Sequence, residues 1–230
     1  METVKSPAFV LVTGGSGGIG SALCRLLPKI GITPIVGFNA NSNQAQLLAN
    51  ELGGFAVNIN MNEINSIENA IHCISDQIQS PNSFLGVVIG ASPPPEIEPL
   101  RKISSSHLLN QFQVNVIGPH LLMNGLIKSF FHRRRSGIVI GILSKAIGDD
   151  NQPVATQMGA YVIAKTGLKS LLAICAAEYP WLTVKTITPS YTKTRMLDVF
   201  DPRYVKMLQE KNKISTPEEI AQQIIEKLKQ

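Results

Sequence analysis

Charge is scarce in this 230-residue chain: Asp, Glu, Lys and Arg together make up 16% of it, against 44% hydrophobic residues. That balance excludes intrinsic disorder, which needs high charge and low hydrophobicity to keep a chain from collapsing. Cysteine is rarer still. Cys24, Cys73 and Cys175 stand far apart in apolar helical patterns, with neither C-x-x-C nor metal-ligand spacing, and are expected to be buried thiols. No His, Cys and acid cluster suggests a metal. No apolar run approaches the roughly 18 residues that suggest a membrane span. The start, METVKSPAFVLVTGG, lacks a basic segment ahead of a long apolar one, so a signal peptide is not expected. A reducing cytoplasm is the expected location. The net charge of +5 is thinly spread, apart from the run His132, Arg133, Arg134 and Arg135. We read that run as the exposed C-terminal end of an apolar helix, where cations complement the carbonyl dipole, in preference to a contact with RNA or a membrane surface. Neither nucleic acid nor a membrane is an expected partner.

What is present is an alternation of short apolar runs with longer helical periodicities, without internal repeats or low-complexity linkers. This is a βαβα pattern, expected to form one domain over residues 1–230. The strand candidates are Ala8 to Thr13, Thr33 to Phe38, Phe55 to Ile59, Phe84 to Ala91, Gly137 to Leu143 and Leu182 to Thr188. Several are apolar throughout, as parallel strands buried on both faces must be. Helices are expected over Ile19 to Ile30, Asn43 to Leu52, Asn65 to Ile78, Ser105 to His132, Tyr161 to Glu178 and Pro217 to Lys229, the last with Thr216 as N-cap. The fold class that follows is α/β: a doubly wound parallel sheet of six strands, a Rossmann fold, with helices on both faces. From Leu168 to Ala177 the only charge is Lys169, and from Asn115 to Phe131 it is Lys128. Helices apolar nearly all round need cover on both faces, so a homo-oligomer through these two is expected.

Directly after the first strand comes TGGSGGIG, Thr13 to Gly20, opening the first helix. Glycines at 14, 18 and 20 permit positive φ, close approach of backbone to phosphate and tight packing of helix on strand. The helix N-terminus then offers free N–H groups to a pyrophosphate, which implicates Gly14, Ser16, Gly17, Gly18, Ile19 and Gly20 in dinucleotide binding. A strand-end acid after the second strand would select NAD by holding the ribose 2′-OH. This chain has Asn39 there and no acid, nor an Arg to clamp a 2′-phosphate. NADP is favoured, with NAD as the other candidate.

The segment YVIAK places Tyr161 and Lys165 four residues apart, on one helix face. An ammonium one turn away would lower the phenol pKa toward the range useful for acid and base work. Spacing alone does not make a catalytic pair, since Y-x-x-x-K is common by chance. Taken in order, however, TGGSGGIG, Asn115 in VNVIG, Ser144 closing IVIGILS, YVIAK, and PSYTKT from Pro189 to Thr194 resemble the short-chain dehydrogenases/reductases over about Ala8 to Met196. The resemblance implies that Tyr161 exchanges the proton of the reacting oxygen, that Ser144 holds that oxygen, and that Lys165 binds the nicotinamide ribose and keeps the tyrosine pKa down. Asn115 would position a water that relays protons. Pro189 and Ser190 would lie against the nicotinamide, with Thr192 and Thr194 reaching its carboxamide or the phosphates.

The departures from that family are specific. Its usual N-N-A-G-like turn after the fourth strand is here Ile89, Gly90, Ala91, Ser92 and three prolines, so backbone at Gly90 and Ala91 is expected against the cofactor without asparagine support. Asn60, followed by Met61, replaces the acid that commonly recognises adenine after the third strand. Seventeen positions separate Ser144 from Tyr161, a few more than usual. The last strand of many relatives is not expected, which makes a homodimer simpler than a homotetramer. The loops Ser92 to Leu100, Ala146 to Gly159 and Tyr191 to Lys211 are expected to form a substrate pocket. The leading expectation is an NADP(H)-dependent oxidoreductase interconverting a carbonyl and an alcohol on a small organic substrate. The alternative is a catalytically decayed dinucleotide-binding sensor or scaffold.

Overall fold

The six apolar runs become six parallel strands: β1 Ala8–Val12, β2 Ile32–Phe38, β3 Phe55–Asn58, β4 Phe84–Ile89, β5 Gly137–Ile142 and β6 Leu182–Ile187. They form one sheet in the order β3-β2-β1-β4-β5-β6. The computed structural model describes residues 7–78, 80–211 and 213–229, so the first six residues of the N-terminal segment considered above lie outside the described residues. Strand order reverses between β1 and β4, and in open α/β sheets ligands bind beyond the C-terminal strand ends at such a point. Every site residue expected from the sequence follows the C-terminal end of a strand or stands on a helix bordering that edge.

Side chains alternate across the sheet, and each face carries its own core. Val10 and Val12 of β1 pack with Leu23 of α1 (Gly18–Leu26), Leu48 of α2 (Ser42–Glu51) and Ile220 and Ile224 of α8 (Pro217–Lys229). Leu11 faces the other way, toward Ile67 and Ile74 of α3 (Ile64–Gln77), Leu122 and Leu126 of α5 (Gly118–Leu126), and Leu168 and Leu172 of α6 (Gly159–Glu178). Removal of apolar surface from water on both faces is the main force holding the layers together.

The expected Ser105 to His132 helix is one continuous rod with internal structure. It runs as α4 (Ser105–Phe112), a π segment Gln113–Ile117, α5, and a second π segment Ile127–Phe131. The expected pocket loop from Tyr191 to Lys211 is not all loop: it contains a 3-10 turn, Arg195–Val199, and a helix, α7 (Pro202–Glu210). Asp201 caps α7 by accepting from Arg203 N, and Pro202 sits in its first turn.

Three expectations about composition need correction. Cys24 and Cys175 are buried, but Cys73 is only partly buried, at the margin of the core under α3. Arg134 is not a solvated charge at a helix end. Its Nε donates to Ser136 O and its Nη atoms to Asn82, Phe84 and Leu85 carbonyls, with the guanidinium 5.5 Å from the Phe131 ring centre. Finally, α6 is long and apolar enough by composition to cross a membrane, which Lys165, Thr166 and Lys169 disguise in the sequence; in the fold it lies along β5 and β6 with one side buried against the core.

Candidate active site

At the end of β1 the chain leaves the sheet through Thr13 and turns at Gly14, whose φ is +68°. A side chain there would meet the Ala91 backbone at 3.2 Å, so both conformation and space demand glycine. Thr13 is buried and was not singled out from the sequence. Its N–H donates to Val88 O, and its hydroxyl accepts from Gly90 N at 2.9 Å and Ala91 N at 3.2 Å. The turn that lacks asparagine support is therefore held from β1.

The N-terminus of α1 opens on Gly17 and Gly18 with no side-chain cap and no acid in its first turn. Free N–H groups and the helix dipole are thus available to an anion, which fits a pyrophosphate. Over this turn lies the strap that follows β6. Thr194 places its methyl 2.5 Å from where a side chain on Gly18 would begin. Thr192 is buried and forms a parallel bridge with Ser215, Pro189 is buried, and Ser190 is exposed.

Tyr161 and Lys165 are both buried on the inner face of α6, 7% and 2% exposed. The Lys165 ammonium donates to Ile142 O at 3.1 Å and lies 5.7 Å from the Tyr161 ring centre. Burial dominates both groups. It pushes the lysine down to about 7 and the Tyr161 phenol up, partly offset by the Ser144 hydroxyl beside it. The expected lowering of the tyrosine by the lysine charge is therefore not seen in the protein alone, where burial raises it. Ser144 accepts from Ala146 N at 3.1 Å, which leaves its own proton free to donate. The extra residues between Ser144 and Tyr161 fold into a 3-10 turn, Lys145–Ile147, and a bridged loop closed by Asp149 and Gln152.

Asn115 stands in the first π segment and is fully buried. Its Nδ2 donates to Gln111 O at 3.0 Å and Gln111 Oε1 at 3.2 Å, while its Oδ1 has no partner among the described residues. A buried carbonyl oxygen without a donor fits an ordered water or a ligand group.

At the adenine end, Asn39 is exposed and its carbonyl accepts from Asn58 Nδ2. Asn60 is taken up by its own turn: Nδ2 donates to Glu63 and Oδ1 accepts from Asn62 N. Met61 is buried against Gly118 at the start of α5. The pocket walls are joined as well. Glu98 pairs with Met158 in a short bridge, which clips the proline loop to the N-terminus of α6. Glu96, Glu98 and His107, which sequence spacing did not bring together, converge here, with His107 Nδ1 2.9 Å from Glu98 Oε1 and 3.5 Å from Glu96 Oε2.

Residues 8–204 match the family described as short chain dehydrogenase. Among curated proteins, the chain is 24% identical over 218 residues to an uncharacterized oxidoreductase, YmfI, of Bacillus subtilis, covering 92% of this chain and 87% of the relative. It is 25% identical to 3-oxoacyl-(acyl-carrier-protein) reductase FabG of Rickettsia typhi, covering 92% and 85%. Among solved structures, an alcohol dehydrogenase from the archaeon Thermococcus sibiricus, complexed with 5-hydroxy-NADP, superposes with a TM-score of 0.82 at 20% identity, over 97% of this chain and 91% of that one.

Proposed function

The chain belongs to the short-chain dehydrogenase family, and on that premise we propose that it is an NADP(H)-dependent enzyme interconverting a carbonyl and an alcohol on a small organic substrate. Membership makes it a nicotinamide-dependent oxidoreductase; the choice of NADP and the roles of individual residues are our reading. Residues 1–230 act in it as one cofactor-binding domain. The observation that carries the reading is a buried phenol, Tyr161, with the Ser144 hydroxyl beside its oxygen and Lys165 one helical turn away.

Gly14, Ser16, Gly17, Gly18, Ile19 and Gly20 would cradle the pyrophosphate, with Gly90, Ala91, Pro189, Ser190, Thr192 and Thr194 along the nicotinamide half. Asn39, Asn60 and Met61 would border the adenosine. Bound there, the dinucleotide supplies the hydride. In the reductive direction Tyr161 donates its proton to the substrate oxygen, and Ser144 donates a hydrogen bond to the same oxygen and stabilises the charge that develops on it. Lys165, released from part of its desolvation by the ribose hydroxyls, favours the phenolate that remains. Asn115 Oδ1 accepts from a water through which the proton is replaced. NADP is supported by the absence of an acid at Asn39, where a carboxylate would repel a 2′-phosphate, and by the 5-hydroxy-NADP in the similar alcohol dehydrogenase.

The same reading includes a homodimer, or a tetramer, through the helices that carry Asn115 and Tyr161. Ile163 and Ile174 on α6, Leu109 on α4 and Ile117 on the π segment are all exposed apolar side chains in this layer.

Fluorescence titration with NADPH and NADH tests the cofactor. NADPH is expected to bind at least tenfold more tightly, and preference for NADH would reverse the reading of Asn39. Tyr161→Phe is expected to lower turnover by about 100-fold or more while leaving the NADPH dissociation constant unchanged. Full turnover in that variant would remove Tyr161 from the chemistry.

A further inference from the structure

We infer that Gln111 is a positioning residue for the site, setting which end of the Asn115 amide faces the reaction; the inference rests on the function proposed above. An asparagine amide is nearly symmetric in shape but not in chemistry, since one end only donates and the other only accepts. Which end is presented must be fixed by a neighbour. Gln111 is 1% exposed and lies four residues before Asn115, one turn away across the join between α4 and the π segment. Both hydrogens of the Asn115 amide go to it, one to its backbone carbonyl at 3.0 Å and one to its Oε1 at 3.2 Å. The only capacity left on Asn115 is the buried, unpartnered Oδ1.

Gln111 is itself fixed in turn. Its Nε2 donates to Pro94 O at 2.8 Å. A backbone carbonyl can only accept, and Pro94 lies within the run Pro93, Pro94, Pro95, which has no N–H to offer a flipped glutamine oxygen, so the glutamine cannot flip without losing the bond. Orientation therefore passes from the proline loop through Gln111 to Asn115. A reversed Asn115 would set its Oδ1 against two acceptors, Gln111 O and Gln111 Oε1, and lose both hydrogen bonds. The three prolines that replace the familiar turn after β4 thus have a use at the other side of the site.

The test uses the whole chain with Gln111→Leu and the volume-matched Gln111→Met, taking whichever retains NADPH binding. The side-chain amide resonances of Asn115, identified by their loss in Asn115→Ala, report orientation without any turnover. Slow solvent exchange is expected in the wild type, with exchange at least tenfold faster in the Gln111 variant; unchanged exchange overturns the inference. In parallel, reduction of ethyl acetoacetate by NADPH is expected to show kcat lowered about tenfold with NADPH affinity unaltered. The Gln111 substitution should add nothing to Asn115→Ala, and an additive loss would mean that Gln111 acts by another route. Should the wild type bind no NADPH, the proposed function fails, and the amide exchange of the unliganded chain still decides the role of Gln111.

Discussion

Among the described residues Lys165 meets one carbonyl in the core, Ile142 O, and no carboxylate balances it. Its ammonium therefore loses a proton at about 7 in the fold but near 10.4 in the unfolded chain. Between those values the unfolded chain binds a proton that the folded one does not, so stability rises with pH across the window; below it both states are protonated and the dependence ends. Cys24, buried and pushed up to about 12, works in the opposite sense only once the unfolded thiol ionises, near pH 8.5. Urea unfolding of the unliganded protein between pH 7.0 and 8.5 should show the wild type gaining about 1–2 kcal/mol relative to Lys165→Met. Parallel pH dependences would mean that the lysine is neutral or solvated throughout. Residues such as this pair were legible from the sequence because Tyr161 and Lys165 share a local helix spacing. Thr13 and Gln111 were not, because what each does depends on a backbone 77 or 17 residues away and no local pattern marks it.

Strands were the most readable elements. Several are apolar along their length, β6 with Thr183, Lys185 and Thr186 being the clearest departure, and each observed boundary lies within two residues of the expected one. The ends differ where the chain peels away, as at Thr13 and Ala91, because the turn chemistry there overrides the apolar run. Helix α7 was readable too, since Asp201 and Pro202 form a standard start, but the pocket-loop reading of Tyr191 to Lys211 hid it. The π segments carry no sequence signal apart from Gly118 and Pro119 following the first. At the far end of the same rod, Arg134 ties the helix exit to the start of β4, in the neighbourhood where Phe84 packs 4.5 Å from Phe130 and 5.6 Å from Phe131 between ring centres. Arg134→Ala is expected to cost about 2–3 kcal/mol by leaving several carbonyls without their donor, whereas the exposed Arg133→Ala should stay within about 0.5 kcal/mol. Equal effects in chemical denaturation would return Arg134 to the status of a surface charge.

For the molecule as a whole, the exposed side of α6 carries mostly small and apolar groups, Ile163, Thr166, Ser170, Ala173, Ile174 and Ala177, with Lys169 among them and Glu178 at its end. Small side chains of this kind admit close approach of a second helix, with the flexible Lys169 side chain able to turn aside. Ile163→Asp combined with Ile174→Asp is therefore expected to give a species of half the wild-type mass by light scattering, with the fold retained by circular dichroism. A wild type already monomeric at micromolar concentration would exclude this face as the interface. The strap after β6 has a consequence of another kind. Because Thr194 rests against Gly18, the phosphate turn and the segment after β6 share one surface, and a methyl group added at Gly18 would have to push that segment away, so two stretches far apart in sequence can change only together.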